Sequence, residues 1–205
     1  MKYIHLRENL KNFTLFTLSD IKKLDPNFGR SRLNEWQEKG YIKKIIKNFY
    51  IFSDLRLDDY TLFEIANKIY SPSYVSFEMA LSYYNLIPET VYLVTSVSTR
   101  KTYGFDTNIG TFSYKNIKET AFFGYNLIKN KDKYFKIANP EKAIIDFLYY
   151  RQDFKSMSMA EQLRINTEEF KTTLNEKKFK EYLNIINNKE LKKRAELLWE
   201  YVNNA

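Results

Sequence analysis

The sequence predicts an α+β protein: an N-terminal unit of helices closed by a hairpin, then a mixed α/β unit, then a terminal segment of helices alone. Three observations predict it. Apolar residues first recur at helical spacing, give way to β-branched and aromatic runs near residues 41–52 and 91–114, and return to helical spacing toward the end. Hydrophobic residues make up 44% of the 205, with 17 Tyr and 16 Phe, enough for a sizeable core. With only 5 Gly and 4 Pro, the composition is that of a folded chain rather than a low-complexity one. The expected units are residues 1–54 and 55–205, and within the second, 152–205 is helical.

In the first unit, Ile4, Leu6, Leu10 and Phe13 are spaced as a helix. A second helix starts near Phe16, with Thr17 or Ser19 as its cap and Leu18, Ile21 and Leu24 as its inner stripe. It stops before Asp25-Pro26, because proline disfavours helical geometry in the residue before it. Asn27-Phe28-Gly29 makes a short turn. Arg30–Lys39 forms the next helix, with Leu33 and Trp36 facing inward and Gly40 as its terminator. Two helices joined by a tight turn make a helix-turn-helix. Tyr41–Ile46 and Phe49–Phe52 then read as strands, joined by Lys47-Asn48, and Asn tolerates the left-handed backbone that a two-residue turn needs. That hairpin completes the pattern of a winged helix-turn-helix.

Charge points to its partner. Of the net +8, residues 1–54 carry eleven Lys/Arg against six Asp/Glu, whereas the remaining three quarters of the chain is nearly balanced. A basic surface attracts polyanions over roughly a Debye length of about 8–10 Å, so nucleic acid is the first partner to consider. On a helical wheel, the side opposite Leu33 and Trp36 holds Ser31, Asn34, Glu35 and Glu38, flanked by Arg30 and Arg32. Arg30 and Arg32 are the leading DNA contacts, since a guanidinium forks onto guanine O6 and N7 or grips phosphates. Ser31 and Asn34 can hydrogen-bond base edges, and Lys43, Lys44 and Lys47 are expected to meet the backbone. Glu35 and Glu38 oppose deep insertion, because a carboxylate facing phosphates is repelled. The competing reading is a winged helix that contacts protein.

In the second unit, Asp58–Ile69 is a helix with Leu62, Ile65, Ala66 and Ile69 on one face, broken by Ser71-Pro72-Ser73. Ser76 is expected to cap a helix that runs toward Pro88. Val91–Val97, Gly110–Tyr114 and Tyr134–Ala138 have the bias of strands, with the polar stretch around Arg100-Lys101-Thr102 and Asp106-Thr107-Asn108 connecting the first two. Asn139-Pro140-Glu141-Lys142 opens a helix in which Asn139 caps, Pro140 fills the first turn, and Ala143, Ile144, Phe147 and Leu148 face inward. Residues 152–205 carry two or three amphipathic helices. Most of their apolar face should cover the sheet, although Leu198, Trp199 and Val202 offer a partner surface as an alternative.

Much chemistry is excluded. Zero Cys removes disulfides, thiolate catalysis and Cys-ligated metals. His5, the only histidine, stands where solvation is expected, which leaves no histidine metal site or Ser-His-Asp triad. The five glycines never cluster into a phosphate-binding loop. Asp58-Asp59 and Glu168-Glu169 diverge on a helix. No catalytic residue, metal or cofactor is therefore assigned. No apolar run approaches the roughly 20 residues of a membrane span, and the polar N-terminus lacks a secretory signal, so a cytoplasmic protein is expected.

Taken in order, these pieces resemble the AbiEi-like family of type IV antitoxins over about residues 14–151. The residues that carry the resemblance are the winged helix with its wing ending Lys47-Asn48-Phe49-Tyr50-Ile51, the stretch Tyr74–Ile87, Val94-Thr95-Ser96, and the stretch Ile137–Tyr149. The family commonly has Arg-Gly where this chain has Lys47-Asn48. The resemblance implies a bifunctional protein: the winged helix represses its own operon by binding DNA upstream of its gene, and the C-terminal domain counters a nucleotidyltransferase-like toxin. It also implies a second basic surface, for which Arg100 and Lys101 beside Tyr103 are candidates, the competing reading being a solvated loop. The Gly-Ser turn and Asp-x-Asp pair that such a toxin needs are absent here. The alternatives are a stand-alone winged-helix transcriptional regulator whose C-terminal domain senses a ligand or protein, and a nuclease-like restriction component.

Overall fold

A computed structural model describes residues 1–130 and 133–205, and it is α+β. Helix α1 (Tyr3–Leu10) buries Leu6 and Leu10, and strand β1 (Phe16–Thr17) leads into α2 (Leu18–Leu24). Thr17 and Asp20 form a capping box: the Thr17 hydroxyl accepts from the Asp20 amide at 3.3 Å, and the Asp20 carboxylate accepts from the Thr17 amide at 2.9 Å. Of the expected stripe only Ile21 is fully buried, and Leu24 is exposed. Each three-residue step falls about 60° short of a full turn at about 100° per residue, so Leu24 rotates off the face. Helix α3 (Ser31–Glu38) buries Leu33 and Trp36 as expected.

Strands β2 (Ile42–Ile46) and β3 (Phe49–Phe52) form the hairpin, with Asn48 at φ 72° in its turn, and β1 adds to β3 as a third antiparallel strand. Both faces of this small sheet are covered. Ile42, Tyr50 and Phe52 join α1, α2 and α3 in a core of their own, whereas Ile45 and Ile51, with Leu15, belong to the larger core of the remaining chain. A buried polar contact follows the same route: the Thr14 hydroxyl donates to Glu64, which also pairs with Lys68 at 2.6 Å. Residues 1–54 thus have their own core but are docked to the body through the back of the hairpin.

The body is built on a six-stranded sheet. After α4 (Asp59–Ile69) come β4 (Ser73–Val75), α5 (Phe77–Tyr83), β5 (Leu93–Ser98), β6 (Tyr103–Thr107), β7 (Gly110–Asn116), β8 (Tyr125–Asn130), β9 (Lys133–Ala138) and α6 (Pro140–Tyr150). The strand order is β6-β7-β5-β4-β9-β8, with β5 parallel to β7, β4 parallel to β9, and the other pairs antiparallel. Helix α4 covers one face, where Phe63 packs on Phe135 and the Tyr114 hydroxyl donates to the Ala66 carbonyl. Tyr74, pointing the other way from β4, reaches α6.

Several expectations are corrected here. The polar stretch after Arg100 contains strand β6, and β8 lies in a segment for which no element is expected. Both are edge strands without a fully buried side chain, so neither carries a run of core residues. Helix α5 ends at Tyr83, well before Pro88, because Asn85 turns left-handed at φ 56° and the Leu86 amide closes back on the Leu81 carbonyl. The terminal segment holds four helices, α7 (Met157–Gln162), α8 (Thr167–Thr173), α9 (Glu176–Ile186) and α10 (Lys189–Asn204), where two or three are expected. Leu198 and Val202 are buried in the core, which removes them from a partner surface, while Trp199 packs between Phe170 and Phe179.

Candidate nucleic-acid interface

Leu33 and Trp36 are the two buried anchors of α3, and they fix its rotation. With those faces turned inward, Arg30, Ser31, Arg32, Asn34, Glu35 and Glu38 are all exposed. Arg30 takes the N-cap position without its side chain capping the helix, and it enters no ion pair among the described residues. Arg32 is held in place, since its guanidinium donates to the Met1 carbonyl. The other N–H groups of that fork make no hydrogen bond among the described residues, and the residue is exposed. Beside it, the Met1 amino group pairs with Asp25 at 2.8 Å, and this hydrogen bond holds the Asp25 carboxyl below its usual range.

One of the two carboxylates that oppose DNA approach is compensated. Lys39 binds Glu35 at 2.6 Å across one helical turn and lowers its pKa. Glu38 has no such partner among the described residues, and it lies at the C-terminal end of α3. Arg30, Ser31 and Arg32 stand at the other end. The cationic, hydrogen-bonding part of α3 is therefore its first turn, at the positive end of the helix dipole, although the Arg32 and Leu33 amides are already paired with the Gly29 and Arg30 carbonyls.

The hairpin splits its lysines. Lys43 and Lys44 are both exposed, but Lys43 pairs with Ile51 and Lys44 with Tyr50. Directly opposed residues share a face. Lys43 is thus on the side that docks to the body, and Lys44 on the side of the core that seats α3. Lys47 is exposed in the turn beside Asn48. The expected set of three contacts therefore divides, with Lys44 on the α3 side, Lys43 on the other, and Lys47 at the tip of the hairpin.

Arg100 and Lys101 immediately precede β6, the edge strand that approaches β2. The Arg100 side chain is packed against the body, whereas Lys101 is anchored through its backbone alone and its side chain is exposed. The Arg100 guanidinium stands 4.4 Å from the centre of the Tyr70 ring and donates to the Ser71 carbonyl at 3.3 Å, while the Lys101 carbonyl accepts from the Tyr70 hydroxyl at 2.7 Å. Tyr103 stacks on the same ring, with centroids 6.0 Å apart, and is itself exposed.

Sequence reasoning missed a buried polar cluster. Ser76 occupies the N-cap position of α5 but does not cap it; its hydroxyl donates to Asp146 at 2.8 Å. Tyr74 donates to the same carboxylate at 3.0 Å, and Lys142 pairs with Asp146 one turn away on α6 while donating to the Tyr74 hydroxyl at 2.9 Å. Lys142 and Asp146 are 0% and 1% exposed. Burial raises the Asp146 pKa against the pull of Lys142, and burial likewise holds Tyr74 well above its usual value. The two stretches on which the family resemblance rests, Tyr74–Ile87 and Ile137–Tyr149, meet in this quartet. The i, i+4 spacing of Lys142 and Asp146 is visible in the sequence, but their partners on β4 and beyond are about 70 residues away.

Among the described residues no helix is long and apolar enough to cross a membrane. No protein-family model matches the chain, and no curated protein matches it.

Proposed function

We propose that the chain is a cytoplasmic, non-enzymatic DNA-binding antitoxin of a type IV toxin–antitoxin system. In this reading the winged helix represses the protein's own operon, and the C-terminal domain counteracts a nucleotidyltransferase-like toxin. The observation that carries the DNA-binding half is the first turn of α3: Arg30, Ser31 and Arg32 face solvent together because Leu33 and Trp36 are buried behind them. Lys44 and Lys47 of the wing extend that charge toward flanking phosphates. The antitoxin half rests on the resemblance. Its motif residues Tyr74, Ser76, Lys142 and Asp146 are buried structural partners, so the contact with a toxin or its target falls to other, exposed residues.

A groove between α9 and α10, lined by Phe179, Leu183, Ala195 and Trp199 and about 630 Å³ in volume, favours a second reading. A stand-alone regulator would use such an apolar cleft to sense a ligand. Coexpression with the adjacent gene separates the two. Rescue of growth arrest caused by that gene is expected; a neighbour that is harmless when expressed alone overturns the antitoxin reading in favour of the regulator.

A further inference from the structure

We propose that the β8–β9 hairpin is a second nucleic-acid surface, one that takes single strands by stacking their bases on an exposed face of the sheet. The register Lys129↔Tyr134, Leu127↔Lys136 and Tyr125↔Ala138 puts Tyr125, Leu127, Lys129, Tyr134 and Lys136 on one face. The opposite face, with Phe135 and Ile137, is buried under α4. Toward the body the first face is covered, as Tyr125 stacks on Tyr74. Farther out it is open: Leu127 is 62% and Tyr134 48% exposed, on adjacent strands and on the same face.

The cations of this face are interleaved with its rings. Lys136 stands 5.6 Å from the centre of the Tyr125 ring and Lys129 5.9 Å from that of Tyr134. Among the described residues no carboxylate forms an ion pair with either lysine. Lys133 is on the other face, where its charge reaches Asp58, and it is not counted here. An open antiparallel face with an exposed ring, and with lysines that no carboxylate of the described residues pairs, is the chemistry that binds single strands, because every base has a face to stack and every nucleotide a phosphate. An acidic peptide would satisfy the lysines but leave Leu127 and Tyr134 uncovered. The hairpin is also at the opposite edge of the sheet from β6, which approaches the wing. It is thus separate from the α3 interface and independent of the function proposed for it.

The test is fluorescence anisotropy of a labelled short oligothymidylate with the full chain, since thymidylate forms no duplex for α3 to read. Wild type is expected to bind. Tyr134→Ala should weaken binding roughly tenfold, the loss of one stacked base. Lys129→Ala/Lys136→Ala should lower the salt slope by about 1.4, at about 0.7 per phosphate contact. Arg30→Ala/Arg32→Ala should leave the oligonucleotide affinity unchanged, which keeps the outcome distinct from that of the α3 interface. All these side chains are exposed or half-buried, and unaltered circular dichroism will show that the variants fold. No binding by wild type, equal binding by the hairpin variants, or equal competition by polyglutamate overturns the proposal.

Discussion

Replacing Lys142 by Met removes one charge of a buried pair and leaves the other behind. Asp146 is 1% exposed and accepts from Lys142, Tyr74 and Ser76. In the variant only the two hydroxyls remain to stabilise its carboxylate. Stranding one member of a buried ion pair costs about 3–5 kcal/mol, and at about 2–4 °C per kcal/mol for a chain of this size Tm should fall by roughly 6–20 °C. The pH dependence carries a second signature. Burial already raises the Asp146 pKa, and losing Lys142 raises it further. A carboxyl whose folded pKa lies above its unfolded value contributes stability that is present at acid pH and lost as pH rises through the folded pKa. The gap between wild type and Lys142→Met should therefore narrow as pH falls from neutrality toward the ordinary carboxylate range. Lys142→Met/Asp146→Leu should regain much of the loss, because apolar replacement of a buried pair is often neutral or better. Denaturant unfolding at several pH values provides the measurement. A gap below about 1 kcal/mol at neutral pH, or one that pH does not alter, would refute the reasoning.

Other expectations follow from particular contacts. Thr17→Ala removes one side of the capping box and should cost about 1 kcal/mol in denaturant unfolding, with Thr17→Ser close to wild type. Gly124 sits at φ 73°, and a Cβ there would meet Tyr182 at 2.9 Å and Lys142 at 3.1 Å; Gly124→Ala should destabilise by about 1–3 kcal/mol, and relief by Tyr182→Leu would locate the clash. In duplex binding, Lys44→Ala and Lys47→Ala should each lower the salt slope by about 0.9, while Lys43→Ala leaves it unchanged. Equal effects of Lys43 and Lys44 would contradict the division of the hairpin into two faces.

The local signals were the legible ones. The spacing of Leu33 and Trp36 sets the rotation of α3, Gly40 ends it, and Asn48 allows the hairpin turn, all patterns contained within a few residues of sequence. Asn139 and Pro140 start α6 for the same reason, since the Asn139 side chain accepts from the Lys142 amide three residues on. The local rule misleads at Ser76, where a carboxylate 70 residues away takes the hydroxyl that would otherwise cap the helix. Strands β6 and β8 escaped notice because edge strands bury little: Tyr103 and Phe105 alternate with Gly104 and Asp106, but none of the side chains in either strand is fully buried. The site followed the same division. Exposure of Arg30 and Arg32 follows from helical geometry, but the separation of Lys43 from Lys44 depends on strand register, and the Lys39 pairing that neutralises Glu35 is a contact that the wheel alone did not weigh.

Binding to the DNA upstream of the protein's own gene, measured as a salt titration with wild type and Arg30→Ala/Arg32→Ala, tests the α3 interface most directly. Wild type should bind that DNA far more tightly than random duplex. The double variant should lose this preference, with a salt slope smaller by about 1.8 if both guanidinium groups hold phosphates, at about 0.9 per contact. Wild-type binding no tighter than to random DNA would contradict the repressor role and favour protein contact through residues 1–54.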